Sequence, residues 1–469
     1  MIHESRLSRR DLLAGLAAGA VLSRSNAAAA APGRPWELFT FSADVTPLIG
    51  HPCMGGGIAP VKSVADPLDA IGFVLRGGTL IKPVAVVVVD WCEIRNDAYD
   101  RWRDAIARAV GTDPLNVLVT AVHQHDAPIA DLTAEKLLEE NRCTGRICNL
   151  AFHELVVKRV ARAAGSALKK PAKRVTHVGM GRAKAERLAA NRRFVLPDGS
   201  ISYHRMSATK DAQAQAADEG TIDPFVKVLS FWNEDEPLLA LSSYAIHPMS
   251  HYGKGEVSAD FVGMARRGRQ KSLPDVVQIY ASGCSGNVVA GKYNDGDPAN
   301  RAELAGRLEA AMAAAWDATR REPLEVAALR LEPLRFKARE GDGFTEADLK
   351  KQLMDHEKPF GQCLAAMGLS WRKRLESGQP IALPTLDLGP ALLSVLPGES
   401  YVEYQLLAER LRPDKFVMAL GYGDAATGYI PTAMQLAEHD ANLHDWCWVD
   451  PTAEAVLTAG LKAGLKAGK

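Results

Sequence analysis

Seven short apolar runs, at 84–89, 117–122, 225–231, 238–246, 276–280, 391–396 and 416–420, recur along the chain between Gly, Pro, Asp or Asn residues. Runs this short and this continuously apolar, rich in Val, Ile and Leu, are the signature of strands buried on both faces. Helix-like stretches lie between several of them, at 97–110, 137–168, 261–272, 300–318 and 403–412. The alternation predicts an α/β fold of layered, mixed β-sheets flanked by helices. Residues 338–377 are charged and helix-prone with no strand pattern. They read as a helical insertion at the periphery that covers or lines a site. The C-terminal LTAGLKAGLKAGK reads as a fraying helix without chemistry.

The 469 residues allow two or three ordinary domains or one large α/β unit. Lys plus Arg and Asp plus Glu are equal at 56 each, with no dense basic block, which argues against a nucleic-acid or polyanion partner. No apolar run reaches the ~18 residues of a membrane span. The expected partner is therefore a small molecule or a polar polymer. Seven cysteines form neither a dense framework nor a CxxC pair, and read as buried small hydrophobes.

Residues 1–31 read as an address. Ser8-Arg9-Arg10-Asp11-Leu12-Leu13 is a twin-arginine pattern, followed by an apolar stretch to Leu22 and a small-residue run from Ala27 to Ala31. A periplasmic or secreted location is expected. Twin-arginine export carries folded proteins, which fits a metal or cofactor loaded beforehand. Without the leader, 52 basic residues face 54 acidic ones.

The chemistry is expected where the apolar runs end. One stops at His123-Gln124-His125-Asp126-Ala127-Pro128, a second at His247-Pro248, a third at Pro397-Gly398-Glu399, and a fourth leads into a loop carrying Tyr429. Ligands of α/β sheets collect at the carboxyl ends of strands. Side chains two apart on an extended chain point the same way, so His123 and His125 reach one cavity. A lone His-x-His is also found on surfaces and in satisfied cores; the second histidine and Glu399 point to metal. His123, His247 and Glu399 make the two-His, one-carboxylate set of a catalytic zinc with an open position. Zinc would bring a bound water's pKa to ~7 and polarise a carbonyl. Tyr429 reads as a fourth ligand or an oxyanion donor. Imidazole and carboxylate ligands are compatible with iron or manganese too.

At these residues the sequence resembles the neutral, non-lysosomal ceramidase family. FSADVTP, VLVTAVHQHDAP in place of the family's T-H-T-H-S-x-P, SYAIHPMS with VSADFVG, the LPGE turn and GYIPT follow in family order over about residues 38–455. The resemblance implies a single hydrolase domain over 32–469 with the fold of the ceramidase N-terminal domain. It implies zinc on His123, His247, Glu399 and Tyr429, and His125 beside the metal as a proton-transfer or orienting group. Asn191-Arg192 stands where the family has Asn-Arg-Ser-Pro, which implies that Arg192 faces the substrate.

Two departures bear on mechanism and substrate. Aligning Gly286-Asn287 with the family's Gly-Asp/Asn puts Val289 at the nucleophilic serine position, whereas a looser register offers Ser285. Direct attack by metal-bound hydroxide on an amide carbonyl is then the simpler chemistry, with Asn287, Lys292 or loop N–H groups near the oxyanion. The family's C-terminal β-domain and its tyrosines after the Tyr-Val-Thr-Thr segment have no counterpart here; Trp446-Cys447-Trp448 follows instead, as aromatic wall or core. The expected activity is zinc-dependent hydrolysis of a small-molecule or lipid-like N-acyl substrate. Two alternatives are a non-catalytic periplasmic binding protein on the same scaffold and a metal-independent hydrolase using Ser285.

Overall fold

Three mixed β-sheets organise the molecule. The computed structural model describes residues 34–341 and 343–466, so the leader expected at 1–31 lies outside the described residues. The first sheet contains β1 (Trp36–Asp44), β2 (Asp69–Arg76), β3 (Val84–Val89), β4 (Val117–Ala121) and β5 (Lys173–Val175), in the order β4-β3-β2-β1-β5. The second contains β6 (His177–Lys184), β7 (Phe225–Asn233), β8 (Glu236–Tyr244), β9 (Val277–Ser282) and β10 (Arg320–Pro323), in the order β9-β8-β7-β6-β10. The third is β11 (Ala328–Leu334), β12 (Ile381–Asp387), β13 (Ala391–Val395) and β14 (Phe416–Leu420), in sequence order. The longer helices are α1 (Asn96–Val110), α2 (Leu132–Glu140), α3 (Leu150–Ala167), α4 (Asp260–Ser272), α5 (Asn300–Asp317), α6 (Glu346–Leu353), α7 (Pro359–Glu376), α8 (Val402–Leu411) and α9 (Ala453–Gly464).

Each sheet has one parallel pair: β3 with β4, β8 with β9, and β13 with β14. Parallel neighbours need a crossover, and α1, α4 and α8 supply the three. All six residues of β3 are buried because its two faces serve two cores. Val84, Val86 and Val88 join Phe73, Phe231, Leu239, Leu393 and Met418 in one core, where the inner faces of the three sheets meet. Ala85, Val87 and Val89 join residues of α1 and α3 in the other. That double burial is why the strand reads as continuous rather than alternating hydrophobicity.

Three expectations change. The helical stretch at 137–168 is two helices, because Asn149 starts α3 afresh by accepting the Phe152 N–H at 2.9 Å on its side chain. The 338–377 segment forms α6 and α7 but is not peripheral: Cys363, Met367 and Trp371 lie on one buried stripe of α7, and the Trp371 indole donates to the Trp448 carbonyl at 3.2 Å. Trp371→Ala is expected to destabilise the protein by ~3–5 kcal/mol, read from the midpoint of chemical denaturation. The C-terminal helix does not fray from its sheet, since Leu457 and Leu461 of α9 are fully buried. The seven cysteines are buried and unpaired, as expected.

Candidate metal centre

His123 lies two residues past β4, His247 three past β8 and Glu399 four past β13, so each sheet contributes one group from its parallel pair. The strand ends are stitched together where these groups meet. Ala121 N–H donates to the Tyr422 carbonyl at 3.0 Å, Gly421 N–H to Ser282 at 3.0 Å, and Gly283 bridges Leu420. His123 and Tyr422 both take left-handed backbone angles, φ 77° and 56°. Non-glycine residues are costly in that region and concentrate at functional sites.

Glu399 Oε2 stands 3.2 Å from His123 Nε2 and 3.0 Å from His247 Nε2, and all three side chains are at most 2% exposed. The outer ring nitrogens are already engaged, His123 Nδ1 with the Cys92 carbonyl at 2.9 Å and His247 Nδ1 with the Ser285 carbonyl at 2.5 Å. Each Nδ1–H therefore donates outward, which leaves the Nε2 lone pair facing inward, the tautomer a metal ligand needs. His123 Nε2 and Glu399 Oε2 have no hydrogen-bond partner among the described residues. Buried polar atoms are nearly always satisfied. These converge within 4.8 Å of one another, and the donor set fits a divalent cation.

Electrostatics point the same way. Burial is the largest influence on His123 and would lower its pKa, but Glu399, together with Glu93 and the Cys92 carbonyl, raises it on balance. Burial would raise Glu399, yet the two imidazoles hold it far below the usual carboxylate range. His247 is pushed down to about 4 by burial and by the Arg192 cation. A second trio, Cys92, His123 and His125, is equally close. It is the poorer site, because burial drives the Cys92 thiol far up and the outer nitrogen of His123 is already bonded.

Arg192 and Tyr429 close one side. Glu399 and Tyr429 are opposite each other in a short parallel pair, Glu399–Ser400 with Tyr429–Ile430. Arg192 Nη1 donates to the Tyr429 phenol at 2.8 Å, and Nη2 lies 3.3 Å from His247 Nε2. Burial raises the Tyr429 phenol against the pull of Arg192. His125 sits edge-on to His123, ring centres 5.2 Å apart, and against the half-exposed Tyr252 at 4.8 Å. Its Nδ1 has no hydrogen-bond partner among the described residues, and burial followed by the His123 and His247 charges holds its pKa well down.

No protein-family profile and no curated protein matches the sequence. Solved structures do. Neutral ceramidase from Pseudomonas aeruginosa superposes with a TM-score of 0.67 at 16% identity, over 92% of this chain and 74% of that one. A ceramidase complexed with C2 gives 0.68 at 16% identity, over 92% and 75%. The chain has the ceramidase fold. Both the layered α/β class and the resemblance read from the motifs agree with it.

On this ceramidase fold, not every residue singled out in the sequence reaches the centre. The Asn287 amide does not: Nδ2 donates to Glu403 at 2.9 Å and Oδ1 accepts the Val402 N–H at 2.9 Å, so it anchors α8. Lys292 donates to the Gln215 and Ala217 carbonyls instead of facing an oxyanion. Ser285 Oγ bonds the Tyr422 hydroxyl at 2.8 Å, with no imidazole partner among the described residues. Val289 is buried, pairs with Ala190 and belongs to neither apolar core.

Tyr422 was missed, although its Gly-Tyr-Gly setting at a strand end marks a tight turn. Its ring stacks on His123 at 4.1 Å and 15°, and its hydroxyl lies 3.4 Å from His247 Nδ1. Both imidazoles are thereby braced.

Asp126, beside His125, accepts the Gly253 N–H at 2.8 Å and so ties down the loop carrying Tyr252. Burial pushes its pKa up to about 6. A carboxylate raised in the folded state binds its proton more tightly there, so its contribution to stability falls as pH rises from about 4 towards 6 and the cost persists above. Asp126→Asn keeps an acceptor for Gly253. It is expected to raise the thermal midpoint at pH 8 and not at pH 4, checked by melting curves at both.

Proposed function

We propose that this chain is an exported, zinc-dependent hydrolase of amide bonds, acting on a small-molecule or lipid-like N-acyl substrate. The observation that carries the reading is the buried convergence of His123, His247 and Glu399, with two imidazole lone pairs and an unpartnered carboxylate oxygen facing one point. A divalent cation held there supplies a Lewis acid and an acidified water; two histidines and a carboxylate suit zinc. Tyr429, in register with Glu399, is the fourth candidate ligand.

The protein groups around the site have separable tasks. Arg192, fixed by Tyr429, is a permanent positive charge in a water-poor setting, suited to steadying a developing oxyanion. His125 is neutral at pH 7 and has a ring nitrogen without a hydrogen-bond partner among the described residues, suited to carrying a proton to the departing amine. The ceramidase likeness supports amide over ester cleavage, and the twin-arginine pattern supports export.

Val289 at the family's serine position favours, as a second reading, a scaffold that binds without turnover. A Ser285 nucleophile is disfavoured by its bond to Tyr422 rather than to an imidazole. The test is hydrolysis of a panel of N-acyl amines, lipids and esters after chelation and after return of zinc, manganese or iron. Amide turnover lost on chelation and restored by zinc, with Ser285→Ala retaining it within roughly tenfold, is the expected result. Chelator-resistant turnover abolished in Ser285→Ala overturns the metal reading, and saturable binding without any turnover supports the scaffold.

A further inference from the structure

A cavity of ≈ 1020 Å³ opens between the second and third sheets, at the ends of β13 and β14 opposite the metal centre; Pro390 and Phe416 line it. On the β6–β7 wall, strand register sets Lys227 directly across from Arg182 and, on the next strand, Arg320 across from Met180. Met180 and Arg182 are two residues apart, so all three cations share one face. The other wall, from the last turn of α8 into β14, adds Arg410 and Lys415.

Not all of this charge is compensated within the protein. Lys227 is buried between Asp223 at 2.6 Å and Glu409, and Arg412 is held by Asp414 at 2.8 Å. Arg182, Arg320 and Arg410 are exposed and have no carboxylate partner among the described residues, which leaves Glu322 alone against three guanidinium groups. Arg182 lies over the Phe225 ring at 5.0 Å, which orients its charge without neutralising it.

Like charges opposite one another on adjacent strands are destabilising. Two facing walls of one sign focus a positive potential in the cleft between them. Guanidinium forks match phosphate oxygens. We propose that this cavity binds a small phosphate-bearing anion. A chain with equal numbers of acidic and basic residues gains no general affinity for polyanions, and a local site of this kind needs none.

The test is calorimetric titration of the metal-loaded full chain with pyrophosphate at low ionic strength. Saturable binding is expected, weakened about tenfold in each of Arg320→Gln and Arg410→Gln by loss of a charge-assisted contact. It should be unchanged in Arg174→Gln, a surface control on β5, and in Glu399→Gln, which addresses the metal centre. Flotation with phosphatidylcholine vesicles containing phosphatidic acid separates the sources: capture that depends on Arg320 identifies a lipid headgroup, and binding of the soluble anion alone identifies a free phosphate compound. No saturable binding, binding indifferent to Arg320 and Arg410, or binding lost only in Glu399→Gln overturns the proposal.

Discussion

Glu399→Gln is expected to weaken zinc binding by at least ~100-fold, since exchanging even an outer partner of a metal ligand costs about 10–100-fold, and to abolish amide hydrolysis. The carboxylate places a negative charge between His123 and His247, at 3.2 and 3.0 Å. Glutamine keeps the shape and removes the charge, so a metal-free protein with a wild-type circular dichroism spectrum separates loss of the ligand from loss of the fold. Metal analysis after equilibrium dialysis is the measurement. Full zinc occupancy in the variant would remove Glu399 from the centre. The same arrangement sets a pH dependence. Glu399 raises the affinity of His123 for a proton, and that proton competes with the cation, so zinc affinity is expected to fall as pH is lowered. In the metal-free protein the depressed Glu399 lends stability above about pH 4, its unfolded range, and loses it in stronger acid.

Arg192→Lys is expected to lower kcat by ~10²–10³, the range for losing one preorganised oxyanion donor, with zinc content unchanged. Arg192 places one Nη on the Tyr429 phenol at 2.8 Å and the other 3.3 Å from His247 Nε2. A lysine ammonium is a single point charge on a flexible stem and cannot span both. The replacement thus keeps the positive charge and removes the fork. Steady-state kinetics with metal analysis on the same preparation decide it: a near-wild-type kcat would confine Arg192 to holding Tyr429, and a loss of zinc would make it part of the ligand support.

The strands legible in the sequence are those with two buried faces, such as β3, β4 and β13, where every residue is apolar or nearly so. The unread ones are β1, β2, β5, β6, β10, β11 and β12, whose burial is mixed or slight and whose sequences carry Glu, Asp, Arg or Lys. Their places are set by partners distant in sequence, as in the β1–β5 pairing. The site was legible for the same reason the strands were: His123, His247 and Glu399 each follow a buried parallel strand closely. Asn287 was misread because its neighbours suggested a catalytic loop, whereas Glu403 and Val402, more than a hundred residues on, occupy its amide. Tyr422 was passed over because stacking against a histidine some three hundred residues away leaves no local pattern. The 338–377 segment appeared peripheral because its charges dominate its composition, although nearly every residue of α7 from Gln362 to Trp371 is buried.

Because the three sheets each lend one group to the same point, no single layer, and no pair of layers, contains the complete ligand set. A cation bound there would act as a clasp across the layers, and its capture would have to follow their docking. Metal retention would then report that the last layer has closed, and melting temperature should climb with free zinc.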